Sequence, residues 1–315
     1  MEKRSIRNQN SSLLRVVRKT VRFFRNYRHW NNRTFIVVLL ASVAISISFT
    51  LLVESARGIA LNSRDTSANH QQLNSREKNA GSEQETSARI MANGDLLYHD
   101  IVYISAKKAD ETYDFHENFE YVKPWLKQAD LVLGDFEGTV NKDHYLAGYP
   151  LFNAPGEVMD AIKDAGYQVL DLAHNHILDS QIEGVVSTAD AIEKAGMTPV
   201  GVYTHEPRDK APIVIKEVNG IKVAILAYSY GFNGIEQNIS KEDYNRYLSD
   251  LDEDKMKAEI ERAEKEADIT VIMPQMGVEY QIEPTEEQKK LYHKMIDWGA
   301  DIIFGGHPHV VEPVS

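Results

Sequence analysis

Residues 130–138 read DLVLGDFEG, and this stretch decides the fold. Leu131–Leu133 is too short for a helix and is closed at once by Gly134-Asp135, a pair that favours turns. It reads as a strand that ends in a cluster of polar groups, Asp135 and Glu137, set between glycines.

The same pattern recurs on both sides of it. Ile90–Asn93 runs into Gly94-Asp95, and Val169–Ala173 runs into His174-Asn175-His176. Ile269–Met273 runs into Pro274-Gln275-Met276-Gly277-Val278-Glu279-Tyr280, and Ile302–Phe304 into Gly305-Gly306-His307-Pro308-His309. Between these runs lie helical patterns. Gly156–Ala165 is one, and Asp179–Ala195 carries Ile182, Val185, Val186, Ala189 and Ile192 at helical spacing before Gly196 stops it. Leu251–Ala267 reads as a charged surface helix, Thr285–Trp298 as another helix, and Thr198–Val202 as a strand. Ile213–Val218 and Ile221–Tyr228 flank Asn219-Gly220, a strong two-residue hairpin signal. Alternating strands and helices predict an α/β domain, with the hairpin as an antiparallel piece.

In open α/β sheets, ligands bind beyond the carboxyl ends of the strands. If the five runs are neighbours, two Asp, a Glu, an Asn and four His converge on one rim. Carboxylates, imidazoles and an amide oxygen suit Mn, Zn, Fe or Mg. His307 and His309 are two apart, so an extended segment points both the same way. Each motif alone has a plain structural reading: Gly-Asp after a strand is normally a turn, and His174-Asn175-His176 can be a polar loop. The coincidence of five strand-end clusters argues for a site. The other histidines (His99, His116, His144, His205, His293) read as surface or satisfied core residues.

The chain has 315 residues and no cysteine, so disulfides and thiolate metal ligands are excluded. The net charge of −12 is uneven: residues 1–34 carry +9, which leaves −21 for the remainder. An acidic body is a poor partner for nucleic acid, because phosphate binding needs basic surface. Residues 1–34 predict a basic cytoplasmic tail. Residues 35–53, FIVVLLASVAISISFTLLV, carry no charge and are long enough to predict a transmembrane helix, with the positive flank inside. Residues 54–87 are rich in Ser, Asn, Gln, Glu and Arg and predict a disordered linker. Residues 88–315 would then be an extracellular domain on a single-pass anchor. That domain is expected to continue past Ser315, since no closing helix or strand follows the Gly-rich turn.

The order G-D, G-D-F-E-G, A-H-N-H, M-G-V-E-Y, G-G-H-P-H-V resembles the CapA (capsule synthesis, poly-γ-glutamate) family, a branch of the calcineurin-like metallophosphoesterases. The resemblance covers the chain from Ala88 onward. It implies a four-layer sandwich, with two packed mixed sheets flanked by helices, and a divalent-metal site at the strand ends. By position it implies Asp95 as a ligand of a first metal and Asp135 as the bridging carboxylate, with Glu137 as a nearby acid. Asn175 would bind a second metal, His307 and His309 would complete the set, and His176 with His174 would be catalytic. Two positions depart from the pattern. Leu97 stands where the superfamily has a histidine, and Gln275-Met276-Gly277 replaces a histidine-tryptophan-glycine. A glutamine oxygen is a poorer ligand than imidazole, so the resemblance implies a weakened or lost metal position. Gln275, Glu279 and Tyr280 would then bind substrate or brace the ligands.

Three functions remain open at this point. One is a membrane-anchored accessory protein for capsule or poly-γ-glutamate type polymer synthesis or export. It would work with synthase or export membrane proteins and meet the anionic polymer through bound cations. The second is a metal-dependent hydrolase of phosphoesters or cell-envelope amide or ester bonds. The third is a non-catalytic binding module with a vestigial metal site.

Overall fold

The computed structural model describes residues 86–314. The basic tail, the uncharged run 35–53 and the linker up to residue 85 lie outside the described residues. Among the described residues, no helix is long and apolar enough to cross a membrane.

Eight strands form two sheets of four. In the first sheet β1 (Ile90–Asp95), β2 (Leu131–Asp135), β3 (Val169–Asp171) and β4 (Thr198–Val200) lie side by side in chain order, all parallel. The sheet is not mixed, contrary to expectation, because each connection is a crossover, the route parallel strands require. The first crossover carries the short helices α1 (Asp100–Ser105) and α2 (Lys123–Leu126), the second α3 (Val158–Ala165), and the third α4 (Gln181–Lys194). The second sheet is mixed. Its order is β5 (Val214–Val218), β6 (Ile221–Ser229), β7 (Ile269–Gln275) and β8 (Ile302–Ile303). β5 and β6 pair antiparallel through Asn219-Gly220, both of which have positive φ, as a type I′ turn demands. The helices of this half are α5 (Lys241–Tyr247), α6 (Glu253–Glu266) and α7 (Glu286–Trp298).

Alternation along the strands fixes the layers. Leu131 and Leu133 turn inward with Val169, Ala173 and Val200 and pack on Val223, Ile225, Val271 and Met273 of the second sheet. Val132, Leu170 and Leu172 turn outward onto Val158, Ile162, Val185 and Ile192 of α3 and α4. On the far side, Ala224, Leu226 and Ile272 meet Met256, Ile260, Leu291 and Met295 of α6 and α7. Helix, sheet, sheet, helix is therefore the layer order. Each fully buried Leu or Ile in these interfaces stabilises the fold by roughly 1.5–3 kcal/mol.

The helix ends follow local chemistry. Thr285 and Gln288 form a capping box at the start of α7, and Asp252 caps α6 through the Asp254 and Lys255 amides. α4 begins at Gln181, two residues later than the apolar spacing indicates, because the Asp179 carboxylate is engaged elsewhere, by the Phe152 amide and by His176. α1, α2 and α5 are short and bury at most one side chain each, so they leave no apolar period to read.

Candidate metal centre at the strand ends

The first sheet aligns three aspartates. β2 pairs with β3 so that Asp135 stands opposite Asp171. β1 carries an irregularity between Ala92 and Asp95 that brings Asp95 abreast of Asp135. Strands run about 4.8 Å apart, so the register lays a row of carboxyl groups across the top of the sheet. Asp171 was not among the residues singled out from sequence. The signal for it was there: an acid in the middle of an otherwise apolar run, VLDLA.

Glu137 follows β2 by two residues and is buried with Asp135. From the second sheet, the loop after β8 swings over this row. Gly306 makes that possible: a Cβ there would stand 2.8 Å from Asp135 Oδ2 and 3.0 Å from Asp95 Oδ1. The His307 amide donates to Asp95 Oδ1 at 3.1 Å, and His309 Nδ1 lies 2.6 Å from Asp95 Oδ2 and 4.0 Å from Glu137 Oε2. One ligand atom from each of Asp95, Glu137 and His309 falls within 4.8 Å of the others. His307 and His309 both have positive φ, as does Tyr280, whose amide donates to Pro308 O at 2.8 Å. Three strained non-glycine residues in one corner are a cost the fold keeps up only where a site requires the geometry.

Electrostatics set this corner apart. Burial pushes Glu137 up to about 8, with the Asp95 charge adding to the rise. Burial and neighbouring carboxylates likewise hold Asp135 well above the ordinary range, and burial does the same for Asp171. For Asp95 burial acts upward too, but the hydrogen bonds from His309 and the His307 amide outweigh it and keep the group below its ordinary value. The same bond to Asp95 raises His309. His174 is pushed well below its ordinary value by burial and is therefore neutral, and burial also lowers His307.

These residues fit a divalent cation. Nine buried side-chain polar atoms among the described residues have no hydrogen-bond partner. Five of them are here: Asp135 Oδ1, Glu137 Oε2, His174 Nδ1, Asp179 Oδ1 and His307 Nδ1. Unpartnered buried acceptors beside crowded carboxyl groups are unfavourable unless a positive charge joins them. Two carboxylates and an imidazole are a donor set for Mn, Zn or Fe. The His309–Asp95 pairing occupies the same ligand atoms with a proton, so metal entry would displace that proton.

A second feature faces the same rim. His176 Nδ1 pairs with Asp179 at 2.7 Å, and the Phe152 amide holds the same Asp179 oxygen at 2.6 Å. A carboxylate fixed in this way sets the tautomer and orientation of the imidazole. From the sequence Asp179 is only the start of a helix, although it stands at i,i+3 from His176.

The remaining expected site residues are spread around this centre. Gln275 is fully buried and bonded to Asn175: Oε1 accepts from the Asn175 backbone amide at 2.8 Å, and Nε2 donates to Asn175 Oδ1 at 3.1 Å. Asn175 Nδ2 in turn donates to Asn233 Oδ1 at 3.2 Å. His307 packs its ring 4.6 Å from that of Tyr230, outside the three-residue cluster. His174 Nε2 accepts from the Gly138 amide at 3.4 Å. Glu279 and Tyr280 are exposed on the rim, the Tyr280 ring 5.9 Å from that of His309.

Comparison with known proteins follows the same lines. The family model described as "Bacterial capsule synthesis protein PGA_cap" matches residues 89–315. The capsule biosynthesis protein CapA of Bacillus anthracis is 34% identical over 203 residues, 62% of this chain and 48% of that protein. The PGA biosynthesis protein CapA of Bacillus subtilis (strain 168) is 32% identical over 201 residues, 62% of this chain and 52% of that one. The chain thus spans about half the length of the curated relatives it matches. A solved structure of a putative 5'-nucleotidase from Staphylococcus aureus, in complex with alpha-ketoglutarate, covers 70% of this chain and 46% of its own. It superposes with a TM-score of 0.47 at 15% identity, a likeness too slight to carry chemistry across.

Proposed function

We propose a function from one premise: the chain belongs to the bacterial capsule synthesis protein family PGA_cap, whose model matches it over residues 89–315. It acts as an accessory protein in the synthesis or export of a capsule or poly-γ-glutamate type surface polymer. The family match is the observation that carries this reading. The uncharged run 35–53 behind a +9 tail supports a single-pass anchor that holds the domain outside the cytoplasm, beside the membrane proteins that make or export the polymer. The net −21 of the remainder disfavours direct binding of a polyanion, so the polymer is met through bound cations at the strand-end rim. Deleting the gene should strip or shorten the surface polymer, and the wild-type gene should restore it. A deletion strain with unchanged polymer would remove this proposal.

A second reading is favoured by the His176–Asp179 pair beside the carboxylate cluster. In it the domain is metallophosphoesterase-like and hydrolyses phosphoesters or envelope amide or ester bonds. A cation held by Asp95, Glu137 and His309 would supply Lewis-acid polarisation of the scissile group's oxygen. Asp179 orients His176, whose ring would give a proton to a leaving group. Complementing the deletion with His176→Ala separates the two readings: restored polymer speaks for a non-catalytic role, and loss of polymer with normal protein levels speaks for hydrolysis.

A further inference from the structure

We propose that the strand-end centre takes one metal ion, and that Gln275 closes the adjoining position by locking Asn175 in place. The inference rests on the metal-centre reading above and deepens it.

The orientation of the lock is fixed by chemistry. A backbone N–H can only donate, so the Gln275 atom 2.8 Å from the Asn175 amide is the acceptor Oε1. Its Nε2 then faces Asn175 Oδ1 at 3.1 Å, and Asn175 presents Nδ2 to Asn233. Every polar atom of the Gln275 side chain is thereby used, and the side chain has no exposure to solvent. The Gln275 amide directs N–H bonds at the oxygen that Asn175 would otherwise offer to a cation. An N–H dipole pointed at that spot repels a positive ion. The lock also spans the molecule: it joins the end of β7 in the second sheet to the loop after β3 in the first, one hundred residues apart in sequence.

The remaining donors agree. Among the described residues, the His, Asp and Glu side chains that bring ligand atoms together are Asp95, Glu137 and His309 alone. Glu137 Oε2 is buried and unpartnered beside that cluster, so a ligand position is built there. His174 and His307 lie outside that three-residue set, His307 with its ring against Tyr230. One set of donors is assembled and open. The Asn175 position is engaged by Gln275.

The test is metal stoichiometry on the purified full-length chain in detergent. The chain is stripped with chelator, equilibrated with Mn²⁺, desalted, and assayed for bound metal and protein. One ion per chain is expected. Two ions per chain overturn the inference, and none overturns the metal-centre reading itself. Gln275→His and the isosteric Gln275→Glu each replace the N–H donor with a ligand, and either one, folded by circular dichroism, is expected to bind two ions. If both fold and still bind one, Gln275 is not what closes the position. Asn175→Ala should keep one ion, whereas Glu137→Gln should lose it. Loss of the ion in Asn175→Ala would place Asn175 among the ligands and overturn the proposal.

Discussion

Among the described residues, two clusters bury several charged groups together, and the two are built in opposite ways. Around Arg208, which is 3% exposed, every guanidinium nitrogen is occupied. Nε and Nη2 form a two-pronged bond with Glu259 at 2.8 and 3.1 Å, and Nη1 meets Asp250 at 2.5 Å. The Tyr244 hydroxyl donates to the other Asp250 oxygen at 3.0 Å. Burial pushes Asp250 upward, but Arg208, the Tyr244 hydroxyl and Lys255 together outweigh it and hold the group below its ordinary value. At the strand ends the carboxyl groups of Asp95, Asp135, Asp171 and Glu137 crowd together with no Lys or Arg among the described residues paired to them, and Glu137 is pushed up to about 8. The difference teaches which cluster holds the fold and which awaits a ligand. A balanced cluster is complete without a partner. An unbalanced one is stable only as long as protons stay on it, or a cation replaces them.

The strongest way to break this contrast is to unbalance the balanced cluster. Arg208→Ala leaves Glu259 and Asp250 without their partner, which should cost about 3–5 kcal/mol of unfolding free energy. Urea titration checks it, and a loss under about 1 kcal/mol would mean that water reaches these carboxylates as it reaches surface pairs.

The next effect is on pH dependence. Glu137 ordinarily titrates at 4.5 and in the fold at about 8. The folded chain therefore keeps a proton that the unfolded chain has released. The stability this contributes is complete below about pH 4.5 and is lost as pH rises through about 8. Asp135 and Asp171 are raised as well and act with the same sign. Asp250 is depressed, so its contribution is already present above its ordinary 3.8 and does not change in this window. His174 and His307 are lowered and act with the opposite sign up to their ordinary 6.5. The chelated protein should therefore lose melting temperature chiefly between pH 6.5 and pH 8, where the unfolded chain has released the Glu137 proton and the folded chain still holds it. Excess Mn²⁺ should flatten the decline, with a stabilisation of about 2.7 kcal/mol at a hundredfold excess over Kd. A chelated protein with a level profile would show the carboxyl cluster to be as well compensated as Arg208.

The same contrast explains what was legible in the sequence. Strands and long helices were, because their apolar periods are local: Leu131–Leu133 and the Ile182–Ile192 series both lie within the elements they predicted. The strand ends were legible because Gly-Asp and His-Pro-His follow apolar runs. The parallel character of the first sheet was not, since pairing is decided by crossovers rather than by composition. Asp171 and Asp179 escaped because their roles come from register and from a loop partner, Phe152, that no spacing reveals. Gln275 was legible as a departure but not as a lock, since its partner Asn175 is one hundred residues away. The Arg208 cluster was not legible at all: Arg208, Asp250 and Glu259 come from separate segments and carry no motif.

The smallest effect sharpens the comparison through backbone strain. Tyr280 has φ 63° and is 72% exposed, so its side chain brings little packing to offset a left-handed backbone. Asn adopts that conformation more readily because its short amide bonds locally. Tyr280→Asn should therefore raise unfolding free energy by about 0.5 kcal/mol, measured by urea titration of the chelated protein. The Arg208 cluster offers no such gain, since neither Arg208 nor its acidic partners have positive φ. If Tyr280→Asn instead lowers stability, the ring 5.9 Å from that of His309 braces the metal corner more than the strained backbone weakens it. Tyr280 would then be a positioning residue for His309, and the variant should weaken Mn²⁺ binding as well.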